Sequence, residues 1–245
     1  MFHFFTKKKF LIDYLEGFVD IHNHILPGID DGAKTVEESI KLINGFSQFG
    51  VKNFIATPHI MHNYYPNNPE TINDSLLLLK NELLGRQMKD ISFRAAAEHM
   101  IDDNFESILE SGGTMPLGDN YLLVEMSYLQ ASINFDEAIS KIKKKGYFPI
   151  LAHPERYLYL HNNFKKHSEY KKQGVLYQLN LLSLSNFYGK EVQQMAFSLL
   201  DEGMIDFIGS DIHNLNQLNS LKEVKITSKL VNRLLPIIKE ISLSF

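Results

Sequence analysis

With 245 residues, 44% of them hydrophobic and a formal net charge of −4, the chain can bury a sizeable core; this excludes a disordered segment and gives no basic surplus for nucleic acid or an anionic membrane. Cysteine is absent, which excludes disulfides and any thiolate nucleophile and fits a reducing compartment. No apolar run approaches the roughly 18 residues of a membrane span, and Met1–Lys9 does not read as a secretion signal, so a cytoplasmic location is expected.

In chain order, Met1 to Gly17 reads as a lead-in helix with Phe10, Leu11, Tyr14 and Leu15 at helical spacing. Strands are expected at 18–22, 51–57, 91–97, 121–124, 148–152, 176–179 and 205–209. Between the first two, Thr35-Val36-Glu37-Glu38 reads as a capping box opening a helix that stops at Gly50. Asn68-Pro69 opens a long helix, and a short one runs from Phe105 to Glu110 before Gly112-Gly113. Further helices are expected over 135–145, 163–172 and 190–202, with one or two more from Ser220 to Leu243. Strands that alternate with helices argue for a parallel sheet, and no composition shift divides the chain. The expected organisation is a lead-in over 1–17 and one α/β domain over 18–245.

Six of the seven expected strands end in His, Asp or Glu; the sixth ends in Asn180. The candidates are His22, His24, Asp31, His59, Glu98, Glu125, His153, Asp211 and His213. Parallel α/β folds collect their chemistry at the carboxyl ends of the strands. Each candidate alone has a plain structural explanation. His59 could cap a loop carbonyl, Glu98 and Glu125 could sit at helix starts, and Asp211 could be an N-cap. Those explanations do not account for acid or imidazole at nearly every strand end. Nine nitrogen and oxygen donors exceed one tetrahedral site, so two or three ions are expected, with Mn²⁺, Fe or Zn²⁺ suited to a sulfur-free set. Phosphoryl hydrolysis is the reaction such a cluster serves best.

Arg156, three residues after His153, is placed to grip a phosphate bidentately, against the alternative of an ion pair with Glu155 or a neighbouring loop. Tyr64, Tyr65, Tyr128, Tyr157 and Tyr159 either wall a pocket for a flat group or simply cover the mouth; Tyr65 is the candidate substrate contact. His3, His161 and His167 are expected on the surface. Asp20, Asp30, His62 and His99 are expected behind the ligands, with the two aspartates orienting imidazoles.

The run from Asp20 through His22, His24 and Leu26-Pro27-Gly28-Ile29-Asp30-Asp31-Gly32, with Thr57-Pro-His59, Ala97-Glu98, Val124-Glu125, His153-Pro-Glu-Arg156 and Ser210-Asp211-Ile-His213, resembles the polymerase and histidinol phosphatase (PHP) superfamily. Within it the chain looks like the capsule and exopolysaccharide tyrosine phosphatases of the CpsB/YwqE type. The resemblance implies a distorted (β/α)7 TIM-like barrel holding three divalent ions, usually manganese. One would be held by His22, His24, Glu98 and Asp211, a second by Glu98, Glu125 and His153, and a third by Asp31, His59 and His213. It implies attack of a metal-bound hydroxide on phosphorus, Arg156 holding the phosphate as catalytic and substrate-binding residue, and a tyrosine autokinase as the phosphotyrosine partner. A small-metabolite phosphoesterase or a non-catalytic regulator of the autokinase are the alternatives. One departure stands out: the second arginine common in this group after the final Asp-x-His is absent, since Asn214 to Leu221 contains no basic residue.

Overall fold

The computed structural model describes residues 9–245. A two-residue strand β1 (Lys9–Phe10) and a 3-10 turn (Leu11–Tyr14) precede β2 (Val19–Asp20), and α1 (Val36–Ser47) follows. Next come β3 (Asn53–Ala56), β4 (His59–Ile60), α2 (Pro69–Gly85), β5 (Ser92–Ala95), β6 (Glu98–Met100) and α3 (Phe105–Ser111). The chain continues through β7 (Tyr121–Glu125), α4 (Phe135–Lys144), β8 (Phe148–Ala152), α5 (Phe164–Lys172), β9 (Leu176–Asn180), α6 (Lys190–Asp201) and β10 (Phe207–Gly209). Then α7 (Leu215–Lys222), β11 (Lys225–Ile226) and α8 (Ser228–Ser244) complete it.

The seven expected strands are all present and pair in parallel, in the order β2-β3-β5 and β4-β6-β7-β8-β9-β10. Two of them are broken. β3 resumes as β4 after Thr57-Pro58, and β5 resumes as β6 after Ala96-Ala97. Proline cannot donate to a ladder, and the Ala97 amide leaves its strand to bond Met115 O at 3.1 Å. These breaks distort the barrel and re-aim His59 and Glu98, which each open the resumed piece. The wall closes between the first and last strands through one parallel bridge, Asn23 with Ile212. There His24 N donates to Ile212 O at 3.0 Å and Asp211 N to His22 O at 2.7 Å. Fully buried Ile21, Leu123, Ile150, Leu179 and Ile208 on the strands join one core with the inward faces of the helices.

The lead-in helix is not what the described residues form. Lys9 and Phe10 pair antiparallel with Ile226 and Lys225, and Leu11 and Leu15 are buried in the core. The signal for that pairing lies over two hundred residues away. Residues 1–8 of the expected lead-in, with His3, lie outside the described residues. The capping box at Thr35 is incomplete: Thr35 Oγ1 accepts from the Glu38 amide at 3.2 Å, but Glu38 Oε2 accepts from Lys34 N instead of Thr35 N. A complete box occurs at α2, where Asn68 and Thr71 satisfy each other's amides and Pro69 sits in the first turn.

Candidate metal centre

β2 runs on into an alternating stretch. Ile21 and Ile25 are buried in the core while His22 and His24, also fully buried, turn to the barrel axis. The Leu26–Gly32 loop then folds back, and Gly32 lies so close that a Cβ there would meet His24 O at 2.0 Å. This contact requires glycine at that position. Asp30 behaves as expected: Oδ2 faces His24 Nδ1 at 2.8 Å, and Oδ1 accepts from Gly32 N at 2.8 Å. Asp20 does not. Its carboxylate accepts from Ser210 N at 2.9 Å and Ser210 Oγ at 2.6 Å, tying the first strand to the last instead of orienting an imidazole.

Glu98 sits at the middle of the cluster. Its Oε2 is 3.2 Å from His22 Nε2, 3.5 Å from His24 Nε2 and 3.2 Å from His59 Nδ1, while Oε1 is 3.0 Å from His153 Nε2. Glu125 Oε1 reaches His59 Nδ1 at 2.9 Å. Asp211 Oδ1 lies 3.4 Å from His22 Nε2 and 3.3 Å from His24 Nε2. Asp31 Oδ1 is 3.4 Å from His59 Nε2 and 3.5 Å from His213 Nε2. All nine sequence-predicted residues converge. They fall into four overlapping groups whose donor atoms lie within 4.8 Å of one another: His24, Asp31, His59 and His213; His22, His24 and Asp211; His22, Glu98 and His153; and His59, Glu98 and Glu125.

The donor set fits cations. His22 Nε2 and His24 Nε2 face each other at 3.4 Å, and Glu98 Oε2 and His59 Nδ1 are buried without a hydrogen bond. Buried polar atoms are ordinarily satisfied, and a cation held by these residues would satisfy them. Electrostatics point the same way. Burial works against charge on Glu98, yet His22 and His59 hold it well below the usual carboxylate range. Burial likewise opposes charge on His59, yet Glu125 and Glu98 raise it to about 9. His153 and Asp211 both adopt the left-handed backbone region, with φ of 36° and 52°. Such a conformation costs of order 1–3 kcal/mol in a non-glycine residue and concentrates at functional sites.

Arg156 stands at the edge of this cluster. It pairs with Asp211, not with Glu155, and its guanidinium packs against the rings of Tyr128 at 4.5 Å and Tyr188 at 4.3 Å. A cavity of about 240 Å³ opens here, lined by Asp31, Glu98, Tyr128, Arg156, Asn214 and Gln217 among others. Gln217, on the stretch without a basic residue, accepts from His213 N at 2.6 Å. The tyrosines divide. Tyr128 lines the cavity, with its hydroxyl 3.3 Å from His153 Nε2. Tyr65 stacks on His59 with ring centroids 5.5 Å apart, beside the cavity and not in its lining. Tyr157 is fully buried and accepts from Met126 N, and Tyr159 donates to Ser127 O.

Sequence reasoning missed several residues. Gln178 meets His22 Nδ1 at 2.6 Å; the signal was a polar residue inside an otherwise apolar strand. Tyr188 left no signal, because its contact with Arg156 joins two loops. Glu155 is buried and accepts from Ser183 Oγ at 2.6 Å and Asn180 N at 3.0 Å. His167 is not on the surface: it is fully buried, with Nδ1 3.0 Å from Tyr177 OH. His161 is half-buried, its Nε2 2.7 Å from Glu155 O. His99 also faces away from the cluster, with Nδ1 3.0 Å from Leu123 O and Nε2 accepting from Met115 N. His62 is exposed, its amide bonded to Asp102.

Comparison with known proteins agrees with this geometry. The tyrosine-protein phosphatase YwqE of Bacillus subtilis (strain 168) is 28% identical over 202 residues, covering 82% of this chain and 79% of that protein. The tyrosine-protein phosphatase CpsB of Streptococcus pneumoniae is 29% identical over 204 residues, covering 81% and 84%. A solved structure from work on YwqE and CpsB, metal-dependent tyrosine phosphatases, superposes with a TM-score of 0.77 at 26% identity, covering 91% of this chain and 86% of that one. The profile for capsular polysaccharide synthesis, CpsB/CapC, matches residues 18–232, and the chain belongs to that family.

Proposed function

We propose that this chain is a metal-dependent protein-tyrosine phosphatase, acting on the phosphotyrosine of a tyrosine autokinase of capsule or exopolysaccharide synthesis. The observation that carries the reading is the meeting of nine His, Asp and Glu side chains around Glu98 in a cavity that also presents Arg156. Relatives in the same family are tyrosine-protein phosphatases. Three ions, read as Mn²⁺, account for the donors: His22, His24, Glu98 and Asp211 for one, Glu98, Glu125 and His153 for a second, Asp31, His59 and His213 for the third. When bound, such ions supply Lewis acidity toward phosphoryl oxygens and acidify a water molecule.

The chain's own residues do the rest. Arg156 keeps one nitrogen on Asp211 and has its remaining N–H groups for phosphate oxygens. The rings of Tyr128 and Tyr188 both pack against the guanidinium and restrict how far it can swing. The Tyr128 hydroxyl, 3.3 Å from His153 Nε2, is placed as a hydrogen-bonding group at the mouth. Tyr65 flanks the entrance beside His59. Residues 18–245 carry the catalytic barrel in this reading. Among the described residues no helix is long and apolar enough to cross a membrane, and the cytoplasm is the proposed location.

The test compares hydrolysis of a phosphotyrosine peptide, a phosphoserine peptide and histidinol phosphate, with Mn²⁺ and after chelation. Chelator-sensitive turnover selective for phosphotyrosine is expected. Turnover of histidinol phosphate alone would move the substrate to a small metabolite. Metal binding without turnover of any would leave a non-catalytic regulator.

A further inference from the structure

β9 is the one strand of the barrel wall that contributes no candidate ligand, yet Gln178 and Asn180 on it are both fully buried. They point to the same side of the strand and touch: Gln178 Nε2 donates to Asn180 Oδ1 at 3.1 Å. Asn180 Nδ2 donates to Asp211 Oδ2 at 2.5 Å, and Gln178 Oε1 meets His22 Nδ1 at 2.6 Å. The direction of this chain follows from one end. An ionised carboxylate only accepts, so Asn180 must turn its NH₂ to Asp211. Its oxygen then faces Gln178, which must donate in turn. The Gln178 oxygen is left for His22, and Nδ1 of that ring must carry the hydrogen. In the neutral ring, the form that binds a metal, His22 Nε2 then offers a lone pair on the side of Glu98, His24 and Asp211 Oδ1.

We propose that Gln178 and Asn180 are positioning residues which, as one polarised chain, fix the tautomer of His22 and hold back one oxygen of Asp211, so that both present free lone pairs to the same ion. The inference rests on the metal-centre reading above. Space is reserved for it: β10 places Gly209 against the pair, and a Cβ there would stand 2.6 Å from His22 Cβ and 3.1 Å from Gln178 Nε2. Two amides buried in a barrel interior are costly unless every partner is in place, and here each end is a candidate ligand.

The test is Mn²⁺ calorimetry on the full chain and on Gln178→Leu and Gln178→Glu, with thermal unfolding in chelator as the control for folding. Gln178→Leu should weaken Mn²⁺ binding by roughly 10- to 100-fold, as loss of a ligand's hydrogen-bond partner typically does. Gln178→Glu, whose carboxylate still accepts from the same ring N–H but cannot donate to Asn180 Oδ1, should recover only part of that loss. If Gln178→Leu does not fold, Asn180→Ala carries the same expectation from the other end. Wild-type affinity in Gln178→Leu, or no recovery in Gln178→Glu, would overturn the inference. Failure of the unmodified chain to bind Mn²⁺ would instead overturn the metal reading itself.

Discussion

Arg156 and Asp211 divide one carboxylate between two tasks. Arg156 Nη1 holds Asp211 Oδ2 at 2.7 Å, while Oδ1 faces His22 and His24 at 3.4 and 3.3 Å. The proposed phosphate-binding group and the candidate metal ligand are thus set in one piece, and Asn180 is a second donor to the same Oδ2. Arg156→Ala should therefore lower kcat/KM on a phosphotyrosine peptide by roughly 100-fold, the scale of one lost oxyanion donor. Metal content should stay nearly intact, because Asn180 still anchors Asp211. Elemental analysis beside kinetics checks this; loss of metal would assign Arg156 a structural part in the centre.

Glu98 touches His22, His24, His59 and His153 with its two oxygens. Glu98→Ala should consequently disturb two ions together, not one. Metal-to-protein ratios measured after dialysis against Mn²⁺ decide it, and a drop of a single ion would count against the bridging role.

Tyr188 contributes a ring face to Arg156 from a loop far along the chain. Tyr188→Leu should raise KM several-fold, with a smaller effect on kcat, because a guanidinium free to swing loses preorganisation worth about 0.5–1 kcal/mol or more. Tyr188→Phe keeps the ring and should stay near the wild-type KM. Equal losses in both variants would point to the hydroxyl.

His167 gives the fold an acid sensitivity outside the metal centre. Burial pushes its pKa down to about 4, against 6.5 in the unfolded chain. The unfolded state then binds more protons between those values, so stability falls as pH drops from about 6.5 toward 4. At pH 5 the deficit from this group is about 2 kcal/mol, since each pKa unit is worth about 1.4 kcal/mol. Urea unfolding of His167→Gln should show a flatter dependence between pH 7 and 5 than the wild type; an unchanged slope would remove His167 from the account.

Much of this was legible in the residues. Strand ends are marked by sharp changes from apolar to His, Asp or Glu, and all nine candidate ligands converge because parallel strands bring their carboxyl ends to one rim. What escaped has a common cause: it depends on partners distant in sequence. Lys9 and Phe10 were extended by Lys225 and Ile226. Arg156 found Asp211 in place of adjacent Glu155, which turned inward to Ser183. His167 sits in a polar helix and was buried by Tyr177 packing over it. Local pattern reports which face is apolar; it does not report which polar side chain a neighbouring strand will enclose.

The barrel wall is stitched most sparsely where it begins and ends. Among the described residues, the bridge of Asn23 with Ile212, a few backbone bonds and the Asp20–Ser210 pair join the first strand to the last. His22 and His24 hang on one side of that seam, Asp211 and His213 on the other. An ion gripped from both sides would act as a clasp across the gap, and its binding energy would add directly to the resistance of the ring against springing open. On the proposed function, the part that does the chemistry would also hold the hoop closed.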